Sequence, residues 1–171
     1  MVGRTIQGRE WWNILMENVI GFWAQKEKYG CFSNFYPCKF TWQGIEFNCS
    51  EQAFMYAKAI YFKDVETAEK IMAETEPKKI KKLGRQVKDF DDEKWSSVRY
   101  NFMLTINIQK YSQNEDLRNI LLSTGNRTIV EDSPFDYVWG TGRDGSGQNL
   151  LGKVLMEARD YFNAVDFIKE C

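Results

Sequence analysis

In the stretch SEQAFMYAKA, residues 50–59, a carboxylate and an amine stand seven positions apart, Glu51 and Lys58. At 3.6 residues per turn, two helical turns bring Lys58 back close to the face of Glu51, with Met55 between them. The remaining residues are mostly Ala, Phe, Met and Tyr, which is core composition. Two ionisable groups on such a face have two readings. One is an exposed salt-bridged stripe, worth about 0–1 kcal/mol. The other is a carboxyl and an amine reaching into one pocket. Ser50 stands where it can cap the helix, and Glu51 suits the positive end of the dipole.

The chain has no histidine among its 171 residues. That removes Ser-His and Cys-His nucleophile pairs, His-ligated metals and imidazole proton transfer together. Proton work therefore falls to carboxylates, lysine, tyrosine or cysteine. The four cysteines (Cys31, Cys38, Cys49 and Cys171) form no CxxC pair, so no metal site is expected and free thiols are the default.

Other candidates are weaker singly. Gly140, Gly142, Gly145 and Gly147 lie in WGTGRDGSGQN, directly before a helical pattern. Glycine-rich loops at helix N-termini bind phosphate well, but this is neither a P-loop nor a dinucleotide fingerprint, and a plain surface loop is the simpler reading. Asp136 in SPFDYVWG suits a turn that bonds its own backbone. Trp95 reads as core with an indole N–H to satisfy, and Arg85 in LGRQV as a solvated charge.

These groups need a scaffold. The length suits one domain with a proper core. Hydrophobic residues make up 43% and charged residues 27% of the chain, ordinary for a soluble protein, and no apolar run approaches a membrane span. The N-terminus does not read as a signal peptide, which implies a cytoplasmic location. A net charge of −1 does not grip nucleic acid in bulk, although one nucleotide could still be held locally. The aromatic count is high, with 12 Phe, 8 Tyr and 6 Trp, enough for a bulky core or a pocket that stacks a planar ring.

The pattern predicts a strand at 19–24 and two short strands turning at Gln43-Gly44. A helix from 50 to about 62 follows, then one capped by Asp64, and a short basic segment starting at Pro77. A long helix carries Trp95, Val98, Phe102 and Ile106 on one stripe. Another helix ends near Gly125, TIVE forms a strand, and a last helix turns Leu151, Val154, Leu155, Ala158 and Phe162 inward. The fold class is α+β, a compact, mostly helical single domain with a small β-sheet.

Taken in order, YGCFSNFYP, WQGIEF, SEQAFMYAKA, LGRQV, WSSVR and VWGTGRDGSGQNLLGKVLMEAR resemble the NADAR superfamily, also called YbiA-like, from about Ile20 to Phe162. Residues 1–18 read as a variable N-terminal extension and 19–171 as the domain. The resemblance implies an N-glycosidase cutting a ribose C–N bond, without cofactor or metal. Removal of ADP-ribose from the amino group of guanine bases is the first reading. Hydrolysis of ribose-phosphate riboflavin intermediates is the second, and a non-catalytic binder of ADP-ribose or NAD metabolites the third. ADP-ribosylated guanine would then be the substrate, ADP-ribose the product, and a toxin ADP-ribosyltransferase the partner system.

The family's essential acid falls on Glu51, its tryptophan and aspartate on Trp95 and Asp136, and its lysine on Lys58. Lys58 would either form a Schiff base with the opened ribose or act as an orienting cation. Phe32, Trp95 and Trp139 are the candidate stacking faces. Ser33, Asn34, Arg85, Gly140 and Asn149 are the candidate contacts to ribose and phosphates. Gln52 stands where some relatives carry histidine.

Overall fold

Among the described residues the strands and α-helices are β1 (Val19–Phe22), β2 (Phe40–Trp42), β3 (Ile45–Phe47), α1 (Ser50–Tyr61), α2 (Val65–Ala73), α3 (Pro77–Gly84), α4 (Asp92–Gln113), α5 (Glu115–Leu122), β4 (Thr128–Glu131) and α6 (Leu150–Glu170), with a short 3-10 turn at Gly30–Phe32. The structure, a computed structural model, describes residues 18–23, 25 and 28–170. The extension expected over residues 1–18 lies outside the described residues except for Asn18, as do Ala24 of the expected first strand and Cys171.

Local chemistry explains most boundaries. The β2–β3 hairpin turns at Gln43 and Gly44, both at positive φ (51° and 78°), as a two-residue hairpin turn demands. The Asp64 carboxylate accepts from Thr67 N at 3.1 Å and opens α2, while Asp91 does the same for α4 through Lys94 N at 3.0 Å. Pro77 starts α3, where its missing N–H costs nothing. Ser50 does not cap α1: the helix already includes it, and its hydroxyl is buried without a partner among the described residues. The Asn34 carbonyl instead accepts the Glu51 amide at 2.9 Å, so a neighbouring loop does the work expected of a side chain.

The small sheet is two separate two-stranded ladders among the described residues. β2 and β3 run antiparallel, and β1 pairs in parallel with β4, Val19 opposite Thr128. The long helix α4 packs against α1, α6 and β2, and α1 also packs on α2 and α3. Leu151, Val154, Leu155, Ala158 and Phe162 of α6 are buried, as their spacing requires. Cys31, Cys38 and Cys49 are free thiols.

Candidate active site

The face of α1 that carries Glu51, Met55 and Lys58 is turned to α3. At its N-terminal end Glu51 enters a cavity of about 200 Å³ whose walls come from seven parts of the chain, Trp23 after β1 and Met103 of α4 among them. Ser33, Asn34 and Phe35 come from the loop before β2, Glu51, Phe54 and Met55 from α1, and Lys81 from α3. Glu131 ends β4, and Asp136 and Trp139 come from the loop after it. The 31–34 loop is fastened from behind by Lys110 of α4, wholly buried, whose ammonium donates to the Cys31 carbonyl at 2.6 Å.

Three acceptor oxygens on residues that line this cavity, Asn34 Oδ1, Glu51 Oε1 and Glu131 Oε2, are buried and receive no hydrogen bond from any described residue. Leaving such a group unmatched costs about 1–3 kcal/mol. The cavity is thus built for a guest rich in hydrogen-bond donors, as a sugar is.

The carboxyls differ in state. Burial pushes Glu51 up from 4.5 to about 7, with Lys81 opposing and Asp136 adding to the rise; Arg85 and Lys58 oppose it more weakly. Glu131 is also pushed up to about 7, by burial first and by the charge of Asp136, against Lys81. Asp136 is tied differently. Its Oδ1 accepts from Val138 N at 3.0 Å and Trp139 N at 2.8 Å, and its Oδ2 lies 3.6 Å from the Lys81 ammonium. The turn role and the cavity role of Asp136 therefore coexist. Among the described residues no group of His, Cys, Asp and Glu converges closely enough to hold a metal.

Sequence reasoning placed Ser33, Asn34, Glu51, Asp136 and Trp139 here, and the structure brings them together. Lys58 is not on the cavity wall. Its ammonium donates to the Gly84 carbonyl at 2.9 Å and sits 3.9 Å from the Phe90 ring centroid. A cation at the C-terminal end of α3 meets the negative end of that helix, so Lys58 fastens α3 to α1. Burial lowers its pKa, Asp92 and Glu51 raise it, and Arg85 adds to the lowering. The shared face of Glu51 and Lys58 is thus the α1–α3 contact, held close by Gly84, where a Cβ would meet the Met55 sulfur.

Trp95 is buried behind the wall, stacked on Phe102 (5.7 Å) and tilted against Phe54 (5.2 Å), which in turn meets Trp139 edge-on at 5.2 Å. It supports Phe54 and Trp139 without lining the cavity. Phe32 is fully buried between Phe22 and Tyr29. Gln52 faces α2, where its amide donates to the Ile71 and Glu74 carbonyls.

The glycine-rich segment also differs from a phosphate loop. The amides that open α6 are already used: Gln148, Asn149, Leu150 and Leu151 donate to Tyr137, Gly140, Val138 and Trp139. Gly140 is needed because a Cβ there would come within 2.9 Å of the Glu131 carbonyl. Asn149, at φ 51°, accepts from Glu131 N at 3.0 Å and donates to Ile129 O at 2.9 Å. Both residues hold the wall and do not face the cavity.

Two charged residues of the wall were missed. Lys81 was one lysine in a basic run, and Glu131 one acid at a strand end. The signal for Lys81 is that Lys78, Lys81, Lys82 and Arg85 recur at i, i+3, i+4 and i+7. These four line an open groove beside the cavity, facing Phe35, Phe135 and Tyr137. Arg85, expected near phosphate, lies here. Phe135 is 75% exposed, and its ring stands 6.2 Å from that of Trp23, which lines the cavity.

Over residues 21–163 the chain matches the NADAR domain family. It is 39% identical over 145 residues to a protein named N-glycosidase R617 of Acanthamoeba polyphaga mimivirus, covering 75% of this chain and 85% of that one. It is 34% identical over 160 residues to a riboflavin biosynthesis protein of Vibrio vulnificus, covering 90% of this chain and 43% of that longer protein. The NMR structure of Escherichia coli YbiA superposes with a TM-score of 0.79 at 30% identity, covering 88% of each chain.

Proposed function

The chain belongs to the NADAR domain family and is a hydrolase of N-glycosyl compounds, and from that premise we propose that it removes ADP-ribose from the amino group of guanine. The observation that carries this reading is the junction of cavity and groove. The cavity, at about 200 Å³, suits one sugar ring, and its three unmatched acceptors suit ribose hydroxyls. The groove adds cations from Lys78, Lys82 and Arg85 beside the exposed Phe135 and Tyr137. A diphosphate followed by a second planar base uses both features, through charge and stacking. A ribose monophosphate, as in the riboflavin intermediates, leaves the aromatic part of the groove idle.

Cutting C1–N builds positive charge on the sugar and negative charge on the leaving nitrogen. Glu51, buried on the cavity wall with an unmatched oxygen, is placed to stabilise the first and to take a proton from water; such assistance contributes about 10²–10⁴-fold. Lys81 holds Asp136 and balances the carboxyls. Nothing in this scheme draws on a cofactor. A toxin ADP-ribosyltransferase that makes the substrate is the partner this reading implies.

The test compares release from an oligonucleotide carrying ADP-ribosyl-guanine with hydrolysis of the ribose-phosphate riboflavin intermediate. The first should be faster by at least tenfold. Replacing Lys78, Lys82 and Arg85 with Gln should raise KM for the first substrate and reduce its salt dependence. A faster second reaction, untouched by those replacements, would overturn the ADP-ribosyl reading.

A further inference from the structure

The following rests on the reading of the cavity as the place where a ribose C1–N bond is hydrolysed. We propose that Glu131 is a second catalytic carboxyl: it hands a proton to the departing nitrogen, while Glu51 takes one from the attacking water.

The placement of Glu131 is built in from several sides. It is the last residue of β4, and its amide donates to Asn149 Oδ1 while its carbonyl accepts from Thr141 N at 3.0 Å. The backbone on which the carboxyl stands is therefore fixed at both ends. Glu131 lines the cavity, and its Oε2 is buried with no hydrogen-bond partner among the described residues. A half-buried carboxyl on a fixed backbone at the wall of a sugar-sized space, with one oxygen unmatched among the described residues, is placed for work on a guest.

The division of labour follows from the charges around each acid. Glu51 sits in the first turn of α1, at the positive end of the helix, and feels the cations Lys81, Arg85 and Lys58. These favour its ionised form. Among the described residues Lys81 of α3 is the cation that acts on Glu131, while Asp136 from the following loop and Glu51 from α1 both raise it. Two neighbouring acids in one dry space do not both ionise readily, and the one with fewer cations keeps the proton. Glu131 is that one.

The step balances without a co-reactant other than water. The C1–N bond breaks, its electron pair stays on nitrogen, and nitrogen takes the Glu131 proton. Water bonds to C1 and gives a proton to the Glu51 carboxylate. A free amine and a 1-hydroxy sugar result. Glu51 then releases its proton to solvent and Glu131 regains one.

The test uses the full chain in two arms. In the first, ¹³C carboxyl resonances of the glutamates are followed from pH 4 to 9, with Glu131 assigned by backbone connectivity in the wild type. Glu131 should titrate near neutrality; a midpoint below 5 overturns the proposal. In the second, Glu131→Gln is assayed on the ADP-ribosyl-guanine oligonucleotide. Turnover should fall by about 10²–10⁴-fold with the affinity for ADP-ribose kept. The loss of kcat/KM at alkaline pH expected of the wild type should vanish in the variant. A variant within tenfold of wild type, or one that keeps the alkaline limb, overturns the assignment. If the wild type releases nothing from the oligonucleotide, the substrate reading fails instead, and the titration arm alone decides Glu131.

Discussion

Replacing Glu51 with Gln should abolish turnover and make the folded protein gain stability relative to the wild type as pH rises. Glu51 ionises near 4.5 when solvated and near 7 in the cavity, chiefly because burial disfavours its charge. Between those values the folded protein holds a proton that the unfolded chain has released. Stability therefore falls as pH rises from about 4.5 to about 7, and levels off above. The interval of 2.5 between 4.5 and about 7, at about 1.36 kcal/mol per pH unit, amounts to roughly 3 kcal/mol. Gln does not ionise and escapes that loss. Its amide brings a donor into the cavity at a cost of about 1–3 kcal/mol, but that cost does not change with pH. The difference in unfolding free energy between variant and wild type should thus move by roughly 2–3 kcal/mol in the variant's favour from pH 4.5 to pH 8. Urea unfolding at pH 4.5, 6 and 8 measures it, with the linear slope checked for constancy. A difference that stays flat, or moves the other way, would refute the claim that this carboxyl is held against its ionisation.

Asp136→Asn removes the negative charge that raises both Glu51 and Glu131, so the pH–rate profile should move to lower pH, its alkaline limb included; an unmoved profile would count against that electrostatic link. Lys58→Met should cost stability, about 1–2 kcal/mol for the lost bond to the Gly84 carbonyl, read from thermal melts. In the wild type, cyanoborohydride during turnover should leave no ribosyl adduct on Lys58; an adduct mapped there would show that the α1–α3 contact opens in the reaction. Trp95→Ala should cost about 3–5 kcal/mol of stability, because it empties a core site behind Phe54. The folded fraction should still bind ADP-ribose within a few-fold by calorimetry; a selective loss of affinity would place Trp95 on the ligand.

Local signals made much of this molecule legible. Gln43-Gly44, Asp64, Pro77 and the α6 stripe each act through neighbours within a turn or two, and the structure follows them. Ser33, Asn34, Asp136 and Trp139 were recognisable through motif order. What failed depends on distant neighbours. Helical spacing showed that Glu51 and Lys58 share a face but not that α3 covers it, so an anchoring lysine read as a pocket lysine. Lys81 was hidden because four lysines within five residues are chemically alike, and only the docking of α3 at Gly84 selects one. Glu131 reads as an ordinary strand-end charge until the loop after it folds back. The glycine-rich segment promised free amides, and the carbonyls of residues 137–140 had already taken them.

The parallel pairing of β1 with β4 bears on how the enzyme comes into being. Val19 and Thr128 are partners across more than a hundred residues of intervening chain. Closing a loop of that length is slow compared with forming the hairpin or the helices, whose contacts are local. The cavity wall depends on that closure, since Glu131 ends β4 and Trp23 follows β1. A nascent chain that has emerged only as far as α5 carries Ser33, Asn34, Glu51 and Lys81 but no enclosed site. Hydrolytic competence therefore arrives late in synthesis, after the loop beyond β4 and the start of α6 have left the ribosome.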